Sequence, residues 1–251
     1  MNWLYDEKDS SANRARQPGP PVVSFSGIDG AGKSTQIDAL ARAFTEAGSR
    51  VLLLSFWDDV AALTRFREGM SHKVLKGDKG IGHPDKPLNR RDKNVKTWYM
   101  TIARLFFYTV DTVRTNLVVA KARGSDADVV IFDRYAYDEF ANLLPCGFPT
   151  RLWLRALLRF TPRPRVAYLL DADPERARAR KPEYPLDFLH RNRQAYLTLS
   201  AMAGMTVIQP LTVAEASRKI LEEVRRHCSV ETAADCSAKG RPQTDSLTSH
   251  D

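Results

Sequence analysis

Cysteine is scarce in this chain of 251 residues, which has three: Cys146, Cys228 and Cys236. Their spacing matches no metal site or redox motif, so we expect reduced thiols without a role in stability or catalysis. No apolar run approaches the roughly 20 residues of a membrane-spanning helix, and the start Met1–Glu7 lacks the charge and apolar core of a signal peptide. These absences argue against a disulfide-rich secreted domain and a membrane protein, and they predict a cytoplasmic location.

The most informative segment, residues 27–35, has the spacing of a phosphate-binding P-loop. Glycines fall where backbone N–H groups must wrap a polyphosphate, and a helix N-terminus should follow and add positive partial charge. A lysine can then reach the β and γ phosphates, and the serine after it can bind Mg²⁺. We predict that ATP is bound by the nine residues Gly27, Ile28, Asp29, Gly30, Ala31, Gly32, Lys33, Ser34 and Thr35.

Apolar β-rich runs alternate with helical patterns along most of the chain. The predicted strands are 22–26, 51–56, 128–132, 165–170 and 206–209. The clearest predicted helices are 33–47, 97–122, 150–160, 186–203 and 213–227. This alternation predicts an α/β fold, in which helices cover both faces of a parallel sheet and ligands bind at the carboxyl ends of its strands.

The remaining segments have the composition of loops and disordered ends. We expect residues 1–20 to be a disordered arm, because this start is polar and runs into Pro18 and Pro20, and residues 230–251 a disordered tail, because they are poor in large apolar residues. Glycines, prolines and charges mark 70–96 as a long loop or insertion, and a loop of this length is more often functional or disordered than neutral.

Positive charge is concentrated between Arg151 and Arg193, with 11 Lys and Arg against 5 Asp and Glu. Either a nucleic acid or a small polyphosphate would be attracted to it. Part of it is typical of a solvated helix face, because three arginines recur every four residues: Arg151, Arg155 and Arg159.

A second arginine cluster has a different context. It runs into Pro182 and Pro185, which predicts a helix end or a loop. Mobile arginines beside a P-loop would suit a phosphate clamp. The cluster consists of Arg176, Arg178, Arg180 and Lys181.

A further candidate site is Asp133-Arg134-Tyr135, directly after the apolar run 129–132. An acidic residue at such a strand end can hold the Mg²⁺ shell or receive a proton in P-loop enzymes. Arg134 could neutralise an acceptor phosphate. Alone, a strand-end Asp-Arg is also a common surface pair.

Together, Phe25–Gln36, Asp133-Arg134-Tyr135 and the arginine-rich segment 176–181 resemble the thymidylate kinase family, over roughly residues 22–227. The resemblance implies a P-loop NTPase fold with a five-stranded parallel sheet, in a kinase domain at 21–229 with a lid at 176–185. It also implies transfer of the γ-phosphoryl group of ATP·Mg²⁺ to dTMP.

The resemblance assigns roles to individual residues. The residue at Asp29 contacts the acceptor's 3′-hydroxyl, that at Arg134 touches the acceptor phosphate, and that at Asp133 acts with Ser34 at the metal. Because Gly30 carries no charge, the resemblance implies that Arg178 and Arg180 of the lid supply the catalytic arginine, beside Lys33.

The acceptor side departs from the family pattern. Tyr108 falls where an aromatic side chain stacks on thymine, but Thr112 stands where an arginine is expected. Phe56 begins a segment in which Asp59 replaces a phosphate-binding arginine. After Tyr135 the family pattern has Ser or Thr where this chain has Asp138. We therefore expect an acceptor site that includes Asp29, Phe56, Tyr108 and Arg134, with weakened selectivity for dTMP; a core role for Tyr108 is equally consistent with its position.

The resulting hypothesis is a nucleoside monophosphate kinase that uses ATP and Mg²⁺, without a nucleic-acid or membrane partner, with a homodimer left open. One alternative is a P-loop kinase for another nucleotide, nucleoside or phosphorylated metabolite. The other is a nucleotide-binding regulator without an acceptor.

Overall fold

The computed structural model describes residues 19–61, 98–146 and 148–228. Most of the arm predicted at 1–20, the loop predicted at 70–96 and the tail predicted at 230–251 lie outside the described residues.

Five parallel strands form the sheet, in the order β2-β3-β1-β4-β5. The pairs keep a continuous register, from Val22 opposite Val130 to Phe25 opposite Asp133 between β1 and β3. The predicted α/β fold with a five-stranded parallel sheet is confirmed. The strands are β1 (Val22–Ser26), β2 (Val51–Ser55), β3 (Val129–Asp133), β4 (Val166–Leu170) and β5 (Thr206–Ile208).

Helices pack on both faces of the sheet, and each face has its own apolar cluster. The α-helices of the described ranges are α1 (Lys33–Glu46), α2 (Trp98–Arg123), α3 (Ala136–Phe140), α4 (Phe148–Phe160), α5 (Pro174–Arg180), α6 (Leu186–Ala203) and α7 (Val213–Cys228). A π-helical turn at Phe56–Val60 and a 3₁₀ helix at Ala141–Cys146 complete the elements. Among the helices so described, none is both long and apolar enough to cross a membrane.

The strand order brings three loops to one edge of the sheet. Because β1 lies between β3 and β4, the P-loop after β1 is flanked by the segments that follow β3 and β4. All residues of β1 and β4 are buried, as expected for central strands of a parallel sheet covered on both faces. A ligand at this edge therefore meets residues from distant parts of the chain.

The arginine cluster predicted at a helix end or loop lies at a helix end, since Arg178 and Arg180 are in the last turn of α5 and Lys181 is its C-cap. Pro174 takes the first position of α5, where its missing N–H is no loss, and the Asp173 carboxylate accepts a hydrogen bond from the Arg176 N–H at 3.0 Å. Arg180 is the last helical residue. The sequence pattern missed this helix because only seven residues separate its cap from the break before Pro182.

The arginines of α4 are exposed, as the pattern of a solvated helix face predicts. Leu154, Leu157 and Leu158 are buried on the opposite side, whereas Leu152 is 61% exposed. Hydrophobic spacing therefore identifies the helix and three of its buried leucines, but it wrongly places Leu152 on the buried side.

Candidate active site

The P-loop backbone takes conformations that favour glycine. Gly30 and Gly32 have φ values of 85° and 89°, in the left-handed region that side chains rarely adopt. A Cβ at Gly30 would lie 2.3 Å from the carbonyl oxygen of Ala177, and one at Gly27 would lie 2.6 Å from that of Leu170. The loop is thus held between the end of β4 and α5, with no room for side chains at these two contacts.

Lys33 is buried beneath this loop, with 6% of its surface exposed. Its Nζ donates to the carbonyl oxygens of Gly27 at 2.8 Å and Ile28 at 2.9 Å, and it lies 4.0 Å from Asp29 Oδ1. Burial and the neighbouring Arg134 lower the pKa of Lys33 to about 8, although nearby carboxylates act in the opposite direction. The charged form of Lys33 is therefore less stable in this site than the charged form of an exposed lysine.

Arg134 follows β3 in a left-handed backbone conformation, with φ 63°. Its N–H donates to the carbonyl of Phe25 at 3.0 Å, so the turn is tied to β1. Its guanidinium forms an ion pair with Asp29, and its Nη1 lies 3.5 Å from Asp138 Oδ1. Burial alone would lower the pKa of Arg134, but the carboxylates of Asp138 and Asp29 more than offset this and raise it further above its ordinary value.

Asp138 forms a buried junction between β1, α3 and α6. Its carboxylate accepts hydrogen bonds from Ser26 Oγ at 2.6 Å, Tyr196 OH at 2.7 Å and the Tyr135 N–H at 3.1 Å. Burial, followed by the Asp138 charge, raises the pKa of Tyr196 well above its usual value, so its phenol stays protonated and continues to donate.

A cavity of about 390 Å³ opens beside the P-loop at the ends of β2 and β3. Ser34 and Asp133, the two predicted metal ligands, both line it. Its lining consists of Ser34, Ile37, Asp38, Leu53, Leu54, Ser55, Asp58, Asp59 and Asp133. Hydroxyl and carboxylate oxygens are the donors that Mg²⁺ prefers, so these residues fit the predicted ion. Within the described ranges, no three His, Cys, Asp or Glu side chains are grouped closely enough to hold a metal by themselves.

The arginines of α5 lie at different depths around the loop. Arg180 Nη1 lies 3.9 Å from the position that a Cβ at Gly32 would occupy, so this guanidinium lies against the P-loop. Arg178 is partly buried, two residues earlier on the same short helix. Both are therefore on an element that contacts the P-loop through Ala177.

The predicted aromatic residues of the acceptor site lie in the hydrophobic core. Phe56 has no exposed surface and Tyr108 has 4%, with its ring centroid 6.4 Å from that of Phe140. Thr112 is also buried and donates to the Tyr108 carbonyl at 2.8 Å. Asp59 is exposed and accepts from the Ser55 N–H at 2.7 Å.

Sequence reasoning missed Ser26 and Tyr196, and it noted Asp138 only as a departure from the family pattern. The short polar side chain of Ser26 at the end of an apolar strand was the available signal. Tyr196 gave none, because a tyrosine at helical spacing is typical of a core residue.

The comparisons with known proteins agree with this fold. A thymidylate kinase of Bifidobacterium longum is 31% identical over 190 residues, which cover 71% of this chain and 83% of that protein. A thymidylate kinase of Xanthomonas oryzae pv. oryzae is 31% identical over 164 residues, covering 65% of this chain. The match spans only 61% of the length of that relative. No family model matches the chain.

A solved thymidylate kinase structure from Candida albicans aligns with a TM-score of 0.58 and 16% identity, over 85% of this chain and 94% of that one. A likeness at this identity supports the fold alone. The family follows from the sequence relatives, since the chain is more than 30% identical to the Bifidobacterium protein over most of its length. This chain belongs to the thymidylate kinase family.

Proposed function

We propose that this chain transfers the γ-phosphoryl group of ATP to a nucleoside monophosphate, with dTMP as the expected acceptor and dTDP as the product. The observation that carries the proposal is the shared contact of Lys33 and Arg134 with Asp29. Through it, a P-loop cation for the donor and a strand-end cation for the acceptor lie in one cluster. Phosphoryl transfer depends mainly on such positioning of charge.

The donor would be bound by residues 27–35. Lys33 would exchange its two carbonyl partners for the phosphates, and the charge of the nucleotide would favour the protonated ammonium. Ser34 and Asp133 would hold Mg²⁺, which when bound neutralises phosphate charge. Arg178 and Arg180 would approach from α5 and meet the charge that develops during transfer.

The acceptor would be bound through Arg134 and Asp29, with Phe56 and Tyr108 as the proposed aromatic residues. Arg134 would meet the acceptor phosphate and Asp29 a sugar hydroxyl. Since Phe56 has no exposed surface and Tyr108 has only 4%, the acceptor base would meet these rings only after a local rearrangement.

A kinase for a different acceptor is the second candidate, favoured by one observation. The Thr112 hydroxyl, at the position where the family pattern has a base-binding arginine, donates to its own helix instead. The Candida albicans relative is itself described as having broad substrate specificity. A cytoplasmic location remains part of the proposal.

The test is an assay of the purified chain with ATP·Mg²⁺ and a panel of nucleosides, nucleoside monophosphates and phosphorylated metabolites. We expect phosphorylation of one or more monophosphates, and none from Lys33→Ala. That variant should fold well, because burial and the neighbouring Arg134 make the charged ammonium unfavourable in the folded protein, as the lowered pKa of Lys33 indicates. ATP turnover that no acceptor stimulates would contradict the proposal and favour the regulator.

A further inference from the structure

Asp138 is fixed more firmly than its contact with Arg134 alone would require. Three donors from three elements hold its carboxylate: Ser26 of β1, the Tyr135 N–H before α3 and Tyr196 of α6. Only 5% of the residue is exposed. The position of this carboxylate is therefore set by contacts other than the one with Arg134.

We propose that Asp138 is a positioning residue for acceptor binding, which holds the Arg134 guanidinium against Asp29 in the orientation that meets the acceptor. This inference rests on the proposed function, in which Arg134 contacts the acceptor phosphate. Asp138 itself does not touch the substrate; it acts through Arg134.

The geometry explains why Asp29 alone would not fix the orientation of the Arg134 guanidinium. Arg134 has a left-handed backbone conformation and a long side chain with many rotamers. The ion pair with Asp29 restrains Nη2 of the guanidinium, and the contact with Asp138 at 3.5 Å restrains Nη1. Two restraints on a planar guanidinium fix its orientation as well as its position.

The charge of Asp138 is the feature that a hydroxyl could not replace. Ser or Thr, which the family pattern has at this place, could still bond to Ser26 and Tyr196. Neither would compensate the buried positive charge of Arg134. Asp138 therefore adds an anion that hydrogen bonding alone does not require.

The first test compares Asp138→Asn with the wild type, using the best acceptor of the panel. We expect kcat/KM for the acceptor to fall at least about tenfold, mainly through KM, while the KM for ATP changes less than about twofold. Asp138→Ser, which is smaller and also neutral, should give the same split and serves if the first variant folds poorly.

Asp171→Asn is the matched control, because Asp171 is a buried strand-end carboxylate paired with Arg193 at 2.6 and 2.7 Å. It should lower the unfolding midpoint without a selective rise in acceptor KM. An equal rise in acceptor KM for Asp171→Asn would overturn the proposal, since the effect would then follow from lost stability.

A double-mutant cycle with Arg134→Ala tests the mechanism. If Asp138 acts through Arg134, adding Asp138→Asn to Arg134→Ala should change acceptor kcat/KM by less than about twofold. A further tenfold fall would overturn the inference. If the wild type phosphorylates no acceptor, the proposed function fails, and the cycle is read from unfolding midpoints: coupled shifts support the Asp138–Arg134 restraint, and additive shifts overturn it.

Discussion

At the residue scale, the site is a line of four charged side chains whose signs alternate: Lys33, Asp29, Arg134 and Asp138. Each cation lies beside a carboxylate, so the burial of each charge is partly compensated. The charge of Lys33 is the least compensated of the four, because Lys33 Nζ lies 4.0 Å from Asp29 and its hydrogen bonds go to neutral carbonyls.

The lowered pKa of Lys33 predicts that activity depends on pH. Because the pKa of Lys33 is lowered to about 8, the fraction of charged Lys33 in the free protein falls above that pH. We expect kcat/KM for ATP, which reports the free protein, to fall with a midpoint near pH 8. The kcat limb should lie at higher pH, since bound phosphates stabilise the charged form. Initial rates between pH 6 and about 10 measure both limbs.

Lys33→Arg is the control for this prediction, because an arginine stays charged throughout the range. Its residual activity should lack the limb near pH 8. Folding stability should change in the opposite direction, because burial of charged Lys33 destabilises the fold below pH 8 and this penalty fades between about pH 8 and the ordinary pKa of 10.5. A limb that persists in Lys33→Arg would assign it to another group.

At the scale of elements, the strands could be predicted from the sequence and the contacts between them could not. Val22–Ser26 is predicted at its observed bounds because a short β-rich run directly before a P-loop motif is a strong sequence signal. The left-handed turn at Arg134 has no such signal, since arginine does not favour it. The bond from Ser26 to Asp138 joins residues 112 positions apart and depends on the strand order.

The contact between the P-loop and α5 is one of these unpredicted features, and Gly30→Ala tests it. The new Cβ would lie 2.3 Å from the Ala177 carbonyl, so α5 must shift and carry Arg178 and Arg180 with it. We expect kcat to fall at least about tenfold. Gly48→Ala is the matched control, because Gly48 has nearly the same φ, 83°, with nothing within 4 Å. It should cost about 1 kcal/mol of stability and leave kcat unchanged.

The arginines of α5 allow a second test of this element. Replacing Arg178 and Arg180 together by alanine should lower kcat by at least about 10², more than it raises the KM for ATP, because they meet charge that develops in the transition state. Arg155→Ala with Arg159→Ala removes two equally positive, exposed residues from α4 and controls for net charge. Full kcat in the variant that lacks Arg178 and Arg180 would indicate that these arginines form only a solvated helix face.

At the scale of the whole molecule, α2 has an exposed apolar stripe. Its members lie within one face of the helix at spacings of four, seven and four residues: Ile102, Phe106, Val113 and Leu117, all more than half exposed. We propose that this stripe forms the interface of a homodimer, since contiguous exposed apolar surface usually marks an interaction site.

Light scattering over a range of protein concentrations tests the dimer. The wild type should be dimeric and Leu117→Glu monomeric, because a charge in a buried apolar interface is not compensated. Leu211→Glu is the control, since Leu211 is a similarly exposed leucine outside the stripe. A monomeric wild type at all concentrations would contradict the proposal.

We expect acceptor selectivity to depend on several parts of the molecule, because its proposed determinants lie on α2, in the turn after β2 and in the turn after β3. Thr112 and Asp59 replace two arginines of the family pattern, and each tenfold fall in specificity corresponds to about 1.4 kcal/mol. We therefore expect dTMP to be phosphorylated. Its selectivity over dUMP and other monophosphates should be lower, by about 10² or more, than that of a site that keeps both arginines.

The four arginines Arg65, Arg67, Arg90 and Arg91, outside the described residues, are the alternative source of those contacts. Values of kcat/KM for dTMP, dUMP, other monophosphates and thymidine measure the effect. Efficient and selective phosphorylation of dTMP by the wild type would show that other residues have replaced the missing arginines.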